Sequence, residues 1–324
     1  MTGRKSSTRQ RWSQQSQPRR PQATPAPARA ASPARTPKRP PSTRRAPARS
    51  PWSRRAPWIG AGAVAAVVAV LVIVSLLGTT APAPRAGLAP EDVVEDVTGV
   101  PVATLDQVGT GTSANPPSAL PSSTPPLMSD GRPRILYMGA EYCPYCAAER
   151  WALVQALSRF GTFSHLGATE SSTTDSFPGT KTFTFHGAAY ESPYLVFTPV
   201  ETESNRPSGA GYAPLEQPTA EEQAIVSTYD VPPYVSTPRA IPFLDIAGRY
   251  VLSGTQVDPA ALQGKSMIEI AEQLAAPSSP VAETVDGSAN VITAAICDAT
   301  GGRPGTVCTS QGVTRVHEMI ASSG

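Results

Sequence analysis

Residues 134–146 read Arg-Ile-Leu-Tyr-Met-Gly-Ala-Glu-Tyr-Cys-Pro-Tyr-Cys. The first six, Arg134 to Gly139, form a short apolar run closed by glycine, the pattern of a buried strand. Beyond Cys143 the period becomes helical: Trp151, Val154, Leu157 and Phe160 fall three apart on one face, and Gly161 stops the run. Cys143 and Cys146 therefore stand where a strand becomes a helix. At positions i and i+3 they share a helix face, so their sulfurs come within disulfide reach. Unpaired N–H groups and the dipole at the helix N-terminus favour a thiolate on Cys143. Such a thiolate attacks a substrate disulfide, and Cys146, one turn further in, resolves the mixed disulfide. Pro144 suits the first helical position because it has no N–H to satisfy. Tyr145 shapes the surroundings without adding charge, whereas Glu141 opposes the thiolate. Two plainer readings of the pair stay open: a permanent structural disulfide, or half of a zinc site. Zinc needs a second pair at suitable spacing, but Cys297 and Cys308 are eleven apart and His317 stands alone.

Working outward, Phe163 to Ala168 reads as a second strand, and Thr182 to Phe185 and Tyr194 to Val200 as two more. Ala220 to Tyr229 reads as a helix with Glu221 and Glu222 in its first turn. Ile241 to Ile246 and Arg249 to Leu252 flank Ala247-Gly248 as a hairpin. Ser266 to Leu274 is helical, and Ala282 to Ala299 is a helix that Gly287 is expected to break. Strands alternating with helices define an α/β class.

A strand–Cys-x-x-Cys–helix unit followed by Ile241-Pro242 at the mouth of a hairpin resembles the thioredoxin superfamily. That resemblance implies that Pro242 is a cis-proline facing the cysteines and that Ile241 touches the substrate. Tyr142 stands where thioredoxins carry tryptophan, and Pro144-Tyr145 is the dipeptide of glutaredoxins. No acidic residue occupies the Ile135 to Met138 strand, where thioredoxins keep a buried proton acceptor. A longer match runs over Gly139 to Trp151, Leu157 to Gly161, Ile241 to Asp245 and the Ala295-Ile296-Cys297 to Cys308 ending. These segments resemble a membrane-anchored family catalogued as domain of unknown function 929, grouped with the thioredoxin-like proteins. The resemblance covers about residues 100–309. It implies a thioredoxin-like domain with insertions, catalytic Cys143 and Cys146, and a substrate edge made by Tyr142, Pro144, Tyr145, Ile241 and Pro242.

Charge divides the chain sharply. Residues 1–58 hold 15 of the 27 Lys and Arg and none of the 25 Asp and Glu, so the other 266 residues carry a net charge of −13. An acidic body repels phosphate, which argues against a nucleic-acid-binding domain. The first 58 residues, rich in Arg, Pro, Ser and Ala, read as a disordered basic cytoplasmic tail. Ile59 to Gly78 contains no charged residue, and 20 residues of helix span roughly 30 Å, the thickness of a bilayer core. Trp52 and Trp58 precede it as interfacial anchors. The expected arrangement is a single transmembrane helix at 59–78, with the N-terminus cytoplasmic and the C-terminal domain outside. A cleaved signal sequence is the competing reading, from Ser53-Arg54-Arg55 and Ala81-Pro82-Ala83. Residues 79–130 read as a Pro/Ser-rich linker with a short docked element near 91–108, and residues 131–324 as the extracytoplasmic domain.

All four cysteines fall beyond the apolar segment, where disulfides persist. Cys297 and Cys308 close a loop rich in Gly and Pro and are expected to form a structural disulfide, with an electron relay as the alternative. His165, His186 and His317 are isolated, and His165 follows the first helix closely enough to approach the cysteines. The function these observations point to is membrane-anchored thiol–disulfide exchange. Protein thiols or disulfides outside the membrane would be its substrates, a second redox protein its resetting partner, and no metal or organic cofactor is required. The rivals are a non-catalytic thioredoxin-like assembly module and a chain whose main role lies in the basic tail.

Overall fold

The computed structural model describes residues 87–322. The basic segment 1–58 and the apolar segment 59–78 lie outside the described residues. Among those described, no helix is long and apolar enough to cross a membrane.

The architecture is mixed α/β. Helices α1 (Glu91–Thr98) and α2 (Val102–Val108) come first, then β1 (Ser118–Ala119), β2 (Met128–Ser129) and β3 (Arg132–Gly139). Helix α3 (Pro144–Ser158) follows. Next come β4 (Thr162–Ser164), β5 (Gly167–Glu170), β6 (Lys181–Thr184), β7 (Ala189–Glu191) and β8 (Val196–Glu201). A hairpin, β9 (Glu203–Ser208) and β10 (Gly211–Pro214), leads into α4 (Ala220–Tyr229). A second hairpin is β11 (Phe243–Ile246) and β12 (Tyr250–Ser253). The chain closes with α5 (Met267–Leu274), α6 (Pro280–Ala299), α7 (Gly305–Cys308) and α8 (Gln311–Ser322).

Strand β3 is the hub of the central sheet. It pairs with β8 in parallel and with β11 in antiparallel, while β12 and then β1 extend the sheet beyond β11. Side chains alternate along a strand, so Ile135 and Tyr137 enter the main core with α3 and α6. Leu136 and Met138 face the other way, onto Ile225 and Val226 of α4. The β11–β12 turn forms on Ala247-Gly248, both at positive φ (59° and 68°). The Gly248 amide there donates to the Asp245 carboxylate at 2.6 Å.

Three expectations are corrected. First, the element expected near 91–108 docks as α1 and α2, but the stretch after it, expected to be linker, also joins the fold. Val93, Val97, Leu105 and Leu120 are buried, and Ser118 and Ala119 pair with Val251 and Tyr250. Proline lacks an amide donor but suits the extended chain at a sheet edge, so a Pro-rich stretch can still form an edge strand. Second, 163–168 is not one strand. His165 at φ 59° turns the chain, so Thr162–Ser164 pairs with Ala189–Glu191 and Gly167–Glu170 with Lys181–Thr184. The parallel partner of β3 is Val196–Glu201, so residues 159–195 lie between α3 and the strand that rejoins the central sheet. Third, Gly287 does not break α6. The helix runs unbroken, and the glycine admits the backbone of Thr110, whose carbonyl oxygen would lie 2.3 Å from any Cβ at 287.

Helix α3 also departs from a one-faced reading. Its expected stripe is buried, but so are Glu149, Arg150 and Gln155. The helix lies between the sheet, α6 and the β6 strand, and each polar side chain finds an internal partner.

Candidate functional site

Cys143 caps α3. Its backbone is extended (φ −75°, ψ 123°), its carbonyl accepts the Ala147 amide at 2.9 Å, and its sulfur accepts the Cys146 amide at 3.3 Å. Pro144 occupies the first helical position, as its missing amide hydrogen permits. Both cysteines are free and buried, Cys146 completely and Cys143 at 4% exposure. The β11 hairpin supplies the opposite wall. The Ile241–Pro242 bond is cis, and the Cys143 thiol donates to the Ile241 carbonyl across 3.6 Å. The sequence-derived residues Cys143, Cys146, Ile241 and Pro242 thus meet at one place, although about a hundred residues separate the two segments.

The aromatic residues flank this centre. The Tyr142 ring stacks on Tyr212 of β10 at 4.1 Å, and the Tyr142 carbonyl accepts the Ser172 amide at 2.8 Å. Tyr212 in turn donates to the Ser172 hydroxyl at 2.6 Å. Tyr145 is 41% exposed and meets Phe177 edge-on at 6.1 Å. The loop 171–179 and the β9–β10 hairpin therefore form the rim beside the cysteines. Tyr212, Ser172 and Phe177 carried no signal in the sequence, since their loops reach the site only through tertiary folding. The Glu141 amide is tied to the Glu203 carbonyl at 2.8 Å.

Beneath the thiols lies a charge pair. The Arg150 guanidinium grips Glu201 with two hydrogen bonds of 2.7 and 2.8 Å, and both side chains are fully buried. Arg150 also donates to the Ala140 carbonyl at 2.8 Å. Glu201 comes from the adjacent parallel strand β8, where it pairs with Gly139. A second buried carboxylate, Glu149, accepts from the Thr255 hydroxyl and the Gln256 amide, each at 2.8 Å. Burial pushes its pKa up to about 7.

The two thiols are held at different acidities. Cys143 is lowered, first by the hydrogen bond from the Cys146 thiol, and further by the Cys146 amide and the charge of Arg150, against its own burial. Cys146 is raised well above an ordinary thiol, chiefly by burial. The more acidic thiol of such a pair is the better nucleophile towards a disulfide, and a buried thiol of raised pKa favours its protonated form.

Cys297 at the end of α6 and Cys308 of α7 are joined in a disulfide. The histidines are dispersed. His165 sits in the exposed β4–β5 turn, His186 pairs with Glu216 at 2.6 Å, and His317 lies 3.9 Å from Asp298. Among the described residues no group of three or more His, Cys, Asp and Glu is placed to hold a metal ion.

A family model described as a domain of unknown function, DUF929, matches residues 120–298, from just after β1 to the last turn of α6. That is more than half of the chain, and the chain belongs to this family. No curated protein and no solved structure matches it.

Proposed function

We propose that this domain is a thioredoxin-like thiol–disulfide oxidoreductase. The observation that carries the reading is the position of Cys143. Its sulfur caps a helix, accepts an amide 3.3 Å away and faces the carbonyl that precedes a cis-proline at 3.6 Å. Also supporting it is the order β8-β3-β11-β12, with the first two strands parallel and the rest antiparallel, which is the order of a thioredoxin core. In the reaction, the Cys143 thiolate attacks one sulfur of a substrate disulfide and expels the other as a thiolate. Cys146 then loses its proton and attacks the Cys143 sulfur, releasing the second substrate thiol. Two electrons pass to the substrate, and the Cys143–Cys146 disulfide remains for a redox partner to reduce. The reverse sequence oxidises a dithiol.

Ile241, Pro242, Tyr142, Pro144 and Tyr145 make the edge on which a protein substrate would lie, with the Ile241 backbone beside the exchanging sulfurs. The membrane-anchored, extracytoplasmic placement belongs to the same proposal. Its support is the charge-free stretch Ile59 to Gly78 behind a segment with 15 basic residues, and four cysteines all on the far side of it.

Trapping tests the reading. In cells expressing the full chain, Cys146→Ser should accumulate mixed disulfides through Cys143 that dissolve on reduction and are absent in Cys143→Ser. Finding no mixed disulfide would leave the domain as an assembly module.

A further inference from the structure

We infer that Tyr137 and Arg150 form an internal cradle that receives the negative charge of Cys146 when it resolves the mixed disulfide, making both of them positioning residues for the second step. The inference rests on the redox reading above and goes beyond it, since it concerns how a fully buried thiol can ionise.

The strand and helix periods bring these groups together. On β3, residues 135, 137 and 139 face α3, and on β8 so do 197, 199 and 201. Gly139 pairs with Glu201, and Tyr137 with Pro199. On α3, Cys146 and Arg150 are four apart and share the face turned to the sheet. Gly139 leaves its space open, and that space is occupied. A Cβ there would sit 2.3 Å from the Tyr137 hydroxyl and 3.1 Å from the Cys146 sulfur. The phenol oxygen and the sulfur therefore flank the same point.

Two donors in this cluster have nothing to donate to. The Tyr137 hydroxyl and the Nη1 of Arg150 are both buried without a hydrogen-bond partner, although each residue is fully enclosed. The other two Arg150 nitrogens are spent on Glu201 and the Ala140 carbonyl. Burying a donor without an acceptor is costly, and native folds rarely keep one without a use. A thiolate on Cys146 is the anion that this place forms during exchange, and it needs both a cation and hydrogen bonds to exist out of water. Burial and the neighbouring Cys143 raise the pKa of Cys146, the charge of Arg150 lowers it, and Glu201 raises it. Glu201 thus holds the guanidinium in place and neutralises it in the resting dithiol, so that the cradle gains a net advantage only once Cys146 is charged.

The test is a comparison of the two steps in the full chain. A disulfide-linked fluorogenic peptide reports formation of the mixed disulfide by Cys143 and its resolution by Cys146 as separate phases. Tyr137→Phe keeps the ring and removes the unpartnered hydroxyl, so it should fold. It should slow resolution relative to attack by about tenfold at pH 7, the effect of a one-unit rise in the pKa of Cys146, and move the pH profile of resolution upward. Arg150→Lys, which keeps a charge but loses the fork, should shift the same profile in the same direction. An unchanged ratio with an unchanged profile would overturn the cradle and leave the redox reading intact. Equal slowing of both steps would overturn it as well, because that is what a loss of packing produces. Absence of any mixed disulfide in Cys146→Ser would instead remove the redox reading, and the cradle with it.

Discussion

Gly287 of α6 touches Thr110 in the turn after α2, so closely that a Cβ at 287 would lie 2.3 Å from the Thr110 carbonyl oxygen. Helix propensity alone favours alanine over glycine inside a helix by about 1 kcal/mol. The clash is with backbone, which cannot rotate away, and overpacking of this kind costs about 1–3 kcal/mol. Gly287→Ala should therefore destabilise the domain, read as a lower urea midpoint with an unchanged slope. A stabilised variant would mean that residues 109–111 do not dock on α6.

Arg150 and Glu201 should be far more costly to separate than to replace together. Removing one partner of a fully buried pair leaves an uncompensated charge, a loss of about 3–5 kcal/mol. Arg150→Met should approach that figure, and Arg150→Met with Glu201→Gln should recover most of it. Equilibrium unfolding of the two single variants and the double variant gives the coupling, and additive losses would mean that the pair is not formed.

The stability of the domain should fall as pH rises through the mildly acidic range. Burial holds Glu149 up to about 7 from 4.5 and Asp286 up to about 7 from 3.8. A raised carboxyl pKa means the folded state binds more protons than the unfolded state between the two values, so stability is present below the unfolded pKa and is lost as pH climbs towards 7. For Glu149 the difference corresponds to at most about 3 kcal/mol, at 1.36 kcal/mol per unit. Melting temperature against pH from 4 to 8 should show the fall, and Glu149→Gln should flatten it. An equally steep curve in that variant would assign the titration elsewhere.

Thiol labelling should separate the two cysteines. With Cys143 lowered and Cys146 raised, iodoacetamide at pH 7 should modify Cys143 first and leave Cys146 unmodified in the folded chain. Mass spectrometry of the labelled peptides reads this directly, and faster labelling of Cys146 would reverse the assignment of nucleophile and resolving thiol.

Replacing Cys297 and Cys308 together by serine should cost about 3 kcal/mol, the loop-closure entropy expected for eleven residues of separation. The reduction potential of Cys143–Cys146 should not change. A shifted potential would favour the relay over the structural role.

The local parts of this protein were legible because they obey short-range rules. The apolar run before Cys143 must be a strand, the three-residue spacing after it a helix, and Cys143 the cap, since the backbone groups involved lie within one turn. The hairpin on Ala247-Gly248 followed in the same way from turn chemistry. What escaped was set by contacts distant in sequence. Nothing in the sequence marked Glu149 and Arg150 as buried, yet Thr255, Gln256 and Glu201 supply partners from other segments. Glu201 became the acid beneath the thiols only through the parallel register of β8 on β3, which places it beside Gly139. The Pro-rich stretch before residue 130 folded because Ser118 and Ala119 found an edge at β12. Composition and period determine which elements this chain can form, because those depend on neighbours along the backbone. Which buried groups face the two sulfurs was decided by tertiary packing alone, because only packing could bring β3, β8, α3 and the Ile241–Pro242 segment to one point.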